Sequence, residues 1–397
     1  MTATATAPAP TKAPKTRRKP GGTTINAAAL ARAIREVEPA VQARSPKPVL
    51  QNVMLGNGLL VGTDLELRIA SPLPEATGEP VLLPFARLKA IVSTLHPSDA
   101  VTIGLDKSRC RIAARGGEWV LPTEPAEEFP PAPATEGRSI GRLPADQFVS
   151  LVNAVRYAVD NESSRYALGA VCVEFERGDA DSEAGVISFV ATDGRRMAIS
   201  AAEVSSQDLD DSQTLVPSRA IAALVRLAAT AEAVQLLATD SELVATVGSY
   251  DDGIAVKGTT LHARLTEGRF PRWRDVDKSH EVPASTAIVG DLLHAIRMAS
   301  ICTSDSSKAI TLSVTPDGFD LSSEAAETGQ ARVHCDAVEA GHSVSVRLDP
   351  RFAAEWLGCG SFDAAETVRV EALDSQSAIV LRCGDHCRTV IMPMAND

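Results

Sequence analysis

Leu30-Ala31-Arg32-Ala33-Ile34-Arg35 returns further along the chain as Leu151-Val152-Asn153-Ala154-Val155-Arg156, and again as Leu292-Leu293-His294-Ala295-Ile296-Arg297. All three obey Leu-x-x-Ala-(Ile/Val)-Arg. Leu, Ala and Ile/Val at i, i+3 and i+4 form one apolar stripe on a helix, and the Arg at i+5 lies well round from the Leu. Each segment is therefore expected to bury one face and offer a cation on another. The interval is about 120–140 residues, far above the ~20–50 of a solenoid, so each copy is expected to be a domain with its own core.

Working outward, strand-like runs follow each helix: Pro48-Val49-Leu50 through Val53-Met54-Leu55, Ala170–Phe175 and Ile187–Val190, and Ile310–Val314 with Phe319–Leu321. A second helix is announced in each unit by a proline after a short strand, at Pro84, Pro217 and Pro350, a residue suited to helix starts because its missing N–H would be unpaired there anyway. Two helices per unit on antiparallel strands define an α+β fold. Polar, Pro-rich linkers at Pro130–Gly137 and near Asp277–His280 set the boundaries. The expected division is a disordered basic tail over 1–22 and three homologous domains over 23–136, 137–279 and 280–397.

The tail carries Lys12, Lys15, Arg17, Arg18 and Lys19 with almost nothing to bury, and a weak DNA tether or a solubilising segment both fit it. No apolar run approaches a membrane span, and the seven scattered cysteines read as buried hydrophobes in a reducing compartment, so a cytoplasmic protein is expected. The net charge of −12 argues against indiscriminate nucleic-acid binding but allows a basic concave surface on an acidic body. Arranged in an arc, three two-helix domains would line the concave side with six helices bearing Arg32, Arg35, Arg156 and Arg297 among other cations. A dimer would close a ring holding duplex DNA by its phosphates, without reading bases.

No constellation demands an enzyme. Gly56-Asn57-Gly58 between apolar runs is a hairpin turn rather than a dinucleotide loop. Cys383, His386 and Cys387 lack the spacing and second pair of a structural zinc site. Asp64 and Glu66 have no second acidic cluster to share a catalytic ion. Phe189–Ile199, with Asp193-Gly194 at its middle, reads as a hairpin that exposes its turn.

The chain also resembles a known family, the bacterial DNA polymerase III beta subunit or sliding clamp. The residues that carry the resemblance are Pro48–Asn52, Thr63-Asp64-Leu65-Glu66, Ser164-Arg165-Tyr166-Ala167-Leu168, Ala191–Ala198, Glu267–Pro271 and Met392-Pro393-Met394. The resemblance implies a head-to-tail homodimer forming a six-domain ring around duplex DNA. Such a ring is a non-catalytic processivity factor without cofactor or metal, placed by a clamp loader and used by the replicative DNA polymerase and other proteins bearing a clamp-binding motif. It puts a partner-peptide pocket on Leu168, Thr192, Gly194, Arg195, Arg196, Met197, Pro271, Val276, Val390, Met392, Pro393 and Met394, and exposed Met, Leu, Val and Pro would make it adaptable. It adds Arg44, Arg165 and Tyr166 as DNA contacts, and Trp119, Leu121, Ile301 and Cys302 as the ring interface. Family members usually have His at Arg195, Leu at Met197, Asp-Tyr at Arg272-Trp273 and Arg at Asp275, so an altered peptide preference is expected. A divergent second clamp for repair, plasmid or phage replication is the alternative.

Overall fold

The computed structural model describes residues 22–106, 109–133, 137–160, 166–178, 184–205, 209–251, 255–277, 282–304 and 308–395. Apart from Gly22, the basic tail lies outside them, as do parts of both linkers. Six α-helices fall among the described residues: α1 (Ala27–Val37), α2 (Phe85–Val92), α3 (Ala145–Arg156), α4 (Ser218–Ala228), α5 (Val289–Ala299) and α6 (Pro350–Leu357). They stand two to a repeat, as the sequence predicts. On α1, α3 and α5 the stripe is buried (Leu30, Ala33, Ile34; Leu151, Ala154, Val155; Leu292, Ala295, Ile296), while Arg35, Arg156 and Arg297 are exposed. The prolines play two parts: Pro350 is the first residue of α6, with Asp349 capping it through the Arg351 N–H, whereas Pro84 and Pro217 stand one residue before their helices.

The chain divides into two compact units. The first (up to Arg35, Val41–Gly62 and Pro72–Pro130) holds an antiparallel sheet of Thr23–Asn26, Ala100–Asp106, Arg109–Ala114 and Gly117–Pro122, in that order. Its other strands, Val81–Pro84, Asn52–Gly56 and Leu59–Thr63, pair in sequence. Between the last two, Asn57 (φ 54°) and Gly58 (φ 74°) make the expected tight turn. The strand expected from Pro48 begins only at Asn52, because Pro48–Gln51 coils into a 3₁₀ turn. Pro48 has no N–H for a ladder, and its fixed φ suits a helix start.

The second unit takes Glu36–Ala40, Thr63–Ser71 and everything from Pro131. Here the repeats are joined edge to edge. Leu67–Pro72 pairs with Ala255–Arg264 (Ile69↔Leu261), and Arg196–Ser205 pairs with Cys387–Ile391 (Met197↔Val390). The latter seam lies inside one eight-stranded antiparallel sheet running from Ser212–Pro217 to Ser285–Ile288. The third repeat's other sheet ends on Gly329–Asp336, and the first unit's on Gly117–Pro122. No helix among the described residues is long and apolar enough to cross a membrane.

One turn is built twice. In Thr192–Arg196, Asp193 Oδ1 accepts from the N–H groups of Arg195 (2.9 Å) and Arg196 (3.0 Å), and Thr192 Oγ1 bridges Gly194 N–H and the Arg196 carbonyl. In Thr63–Leu67, Asp64 Oδ1 accepts from Glu66 (3.1 Å) and Leu67 (2.8 Å), with Thr63 bridging in the same way. The left-handed position is Gly194 (φ 85°) in one turn and Leu65 (φ 81°) in the other. A non-glycine there costs about 1 kcal/mol or more. Leu65→Gly is therefore expected to raise stability and Gly194→Ala to lower it, each by about 1 kcal/mol; equal urea midpoints for both variants and the parent would refute this.

Candidate functional site

The Met197↔Val390 seam places the expected peptide pocket. Met197 and Val390 are buried in a cluster with Ile199, Leu215, Phe270 and Trp273, and Leu168 and Thr192 are buried beside them. Sequence reasoning expected these apolar side chains to be exposed. Instead Leu168, Met197 and Val390 form a floor, because the sheet that carries them is covered on that face, while Pro271, Val276 and Met392 are exposed around it. Met392 N–H donates to the Arg195 carbonyl (2.9 Å) and Met394 N–H to the Arg347 carbonyl (2.8 Å), so Met392-Pro393-Met394 is tied along the seam.

Two adjacent arginines have different surroundings. Arg195 is exposed and pairs with no carboxylate among the described residues. Arg196 is 9% exposed, stacks between Tyr157 (4.8 Å) and Phe352 (4.6 Å), and donates to Asp193 (3.0 Å), to Glu355 and to the Tyr157 carbonyl (2.9 Å). Its planar guanidinium satisfies two acids and two rings at once, and fastens the Thr192–Arg196 turn to α6. Asp64 of the matching turn is held likewise, by Arg219 of α4.

The facing wall, Arg269–Asp277, is anchored at both ends. Trp273 Nε1 (2.9 Å) and Arg274 (2.7 Å) donate to Glu174, and Arg274 stacks on Trp273 at 4.0 Å. At the other end Arg388 grips Asp277 with two donors. Burial pushes the Glu174 carboxyl up, but donation from Trp273, Arg274 and Gln213 outweighs it, leaving the group below its usual value. A depressed carboxyl contributes stability that is present above its unfolded value and lost as pH falls through the folded one. Glu174→Gln is accordingly expected to be destabilised near pH 7 and to approach the parent below about pH 4, as read by denaturant midpoints; a gap that does not close in acid would assign the loss to packing. Sequence reasoning missed this anchor, since nothing local links Glu174 to a tryptophan 99 residues away.

The repeat arginines behave as the pattern predicts. Arg35, Arg156 and Arg297 carry no ion pair among the described residues, whereas Arg219, Arg226 and Arg351 are paired to Asp64, Glu38 and Asp349. Arg32 is exposed and donates to the Pro72 carbonyl (2.8 Å). Between α3–α4 and α5–α6 opens a groove of 880 Å³ on which Arg156, Arg219, Arg297 and Arg351 converge. Arg44 is exposed; Arg165 lies outside the described residues, and Tyr166 is placed by its backbone alone.

Of the residues expected at a ring interface, Trp119 and Leu121 are half-buried on the edge strand Gly117–Pro122, Ile301 is 76% exposed and Cys302 is half-buried beside it. Cys383 and Cys387 face each other across a hairpin ladder, and no group of three or more His, Cys, Asp or Glu among the described residues is placed to hold a metal ion.

Repeated α+β domains fused through continuous sheets, with unpaired arginines on the helices and an apolar groove at a seam, are the architecture of a DNA sliding clamp. The chain matches the DNA polymerase III beta subunit, N-terminal domain, over residues 23–133 and its central domain over residues 142–272. The beta sliding clamp of Pseudomonas putida is 26% identical over 94% of this chain and 99% of its own length. The solved sliding clamp of Pseudomonas aeruginosa bound to griselimycin superposes with a TM-score of 0.83 at 23% identity, covering 94% of this chain and 99% of that one. The clamp of Bacillus subtilis gives 0.83 at 19%, covering 95% and 99%, and these likenesses show the shared fold. The chain belongs to the DNA polymerase III beta subunit family, the non-catalytic processivity subunits of the polymerase.

Proposed function

We propose that two copies of this chain close head to tail into a ring of six domains, each copy contributing 23–136, 137–279 and 280–397, which slides on duplex DNA in the cytoplasm. One observation carries the reading. Within the chain, a strand of one repeat pairs with a strand of the next at Ile69↔Leu261 and Met197↔Val390. Continuing that series, Gly329–Asp336 is left as the outgoing edge and Gly117–Pro122 as the incoming one, and a second copy supplies each with its partner. Solution mass together with retention on circular and linearised plasmid tests it: a topological ring has twice the chain mass and runs off the linear form. Equal retention on both would sink the proposal.

The seam groove then takes extended peptides of the replicative polymerase, the clamp loader and other clamp-binding proteins, their apolar anchors over Met197 and Val390. Arg195, as an unpaired cation on the rim, favours peptides with a carboxylate beside the anchor. Such a peptide is expected to bind about 5-fold tighter than its amide counterpart, a preference that Arg195→Ala removes. Fluorescence titration showing equal affinities would refute the role. The altered rim also supports the second reading, a divergent clamp for repair, plasmid or phage replication.

A further inference from the structure

A groove on the first unit belongs to neither of these surfaces. Thr23–Asn26 pairs with Ala100–Ile103, and Thr23 Oγ1 accepts from Gly78 N–H (3.1 Å), which fixes where the chain enters the fold. Gly22 presses so close that a Cβ there would stand 2.7 Å from the Ile103 carbonyl oxygen. The ladder stops at Thr23↔Ile103 although the partner strand runs on to Asp106, so its edge at Gly104 and Leu105 is open on that side among the described residues.

Gly22 and Thr23 line a hollow that also holds Glu79, Val81 and Leu105. The same three residues line the adjoining groove, of 680 Å³, with Met54, Glu124 and Glu127. Its floor is apolar, Leu105 being 39% exposed, and its rim is acidic. Glu79 and Glu127 are exposed and pair with no cation among the described residues, while Glu124 accepts from Asn52 (3.0 Å).

The residues that precede Gly22 have the complementary chemistry: Lys12, Lys15, Arg17, Arg18 and Lys19, with Pro14 and Pro20 between and after them. Lys19 is three residues from Gly22, a reach of about 10 Å, so its ammonium starts beside Glu79. We propose that residues 12–21 of this chain dock along this groove, the basic side chains on Glu79, Glu124 and Glu127 and the prolines on the apolar floor. Each exposed ion pair is weak, but attachment to Gly22 supplies an effective concentration in the ~mM range, enough to hold several together. The tail is then an internal ligand of the first unit, and its five cations are withheld from DNA.

Limited trypsin digestion of the full chain, followed by mass spectrometry at the tail's Lys and Arg residues, tests this. In low salt the Glu79→Lys/Glu127→Lys variant is expected to be cut in the tail about tenfold faster than the parent, and Glu79→Gln/Glu127→Gln, which keeps the side-chain shape, to be accelerated in the same direction. About 1 M salt is expected to accelerate the parent and erase the difference. Equal rates for parent and variants in low salt would overturn the proposal. Protection seen only with duplex DNA would assign the tail to DNA instead, and protection that grows with protein concentration would assign the groove to a second copy's tail.

Discussion

Reversing Arg35, Arg156 and Arg297 to glutamate is expected to weaken duplex binding at low salt by about 10³-fold and to flatten its salt dependence. The three side chains recur at one position of three equivalent helices, each exposed above a buried Leu-Ala-Ile/Val stripe and without an acidic neighbour to neutralise it. A cation with no partner in its own chain is free to meet phosphate, and each phosphate contact adds about 0.9 to the slope of log K against log salt. Losing three contacts accounts for about three decades between dilute and molar salt. Anisotropy titrations of labelled duplex across salt concentrations measure both quantities, and solution mass should not change because none of the three lies on a sheet edge. An unaltered slope would remove these residues from the DNA surface.

Ile301→Asp is expected to convert dimer to monomer. Ile301 is an apolar side chain left 76% exposed, and burying it in a partner is worth about 2 kcal/mol. Aspartate loses that and adds an unpaired carboxylate. A head-to-tail pair has two identical contacts that form together, so the effect counts twice, raising the dissociation constant by about 10³–10⁴-fold. Sedimentation at micromolar protein reads it directly. Thermal stability of the monomer should be unchanged, since the side chain packs against little in its own chain; a dimer that persists would place the interface elsewhere.

The helices were the most legible part of the chain. Their signal is local: an apolar stripe at i, i+3, i+4 and a cation turned away from it, which burial of Leu30, Leu151 and Leu292 reproduces residue for residue. Domain repetition was legible for the same reason. The seams were not, because pairing Arg196–Ser205 with Cys387–Ile391 joins residues almost two hundred positions apart by backbone hydrogen bonds that leave no side-chain pattern. The pocket was found from motif resemblance, but its floor and rim were not separable, since Met197 and Met392 look alike as letters and differ only in which face of the sheet they occupy. Arg196 shows the same limit: its ring partners Tyr157 and Phe352 come from two other elements. One signal was available and overlooked, the Thr-Asp shared by positions 63–64 and 192–193, which marks the duplicated turn.

The Met197↔Val390 seam also sets a timetable. Thr389 Oγ1 reaches the Met197 carbonyl across 192 residues, and every wall of the groove except Cys387–Ile391 and Met392–Met394 is encoded earlier in the chain. During synthesis the sheet face around Met197 must therefore wait, with its apolar side chains uncovered, until the closing strand leaves the ribosome. Such a long-range closure is slow to form. A nascent chain stalled before that strand would have the helices and arginines of the earlier repeats but no groove, so the ability to recruit partners is acquired last, as a sign that the polypeptide has been made through to its closing strand.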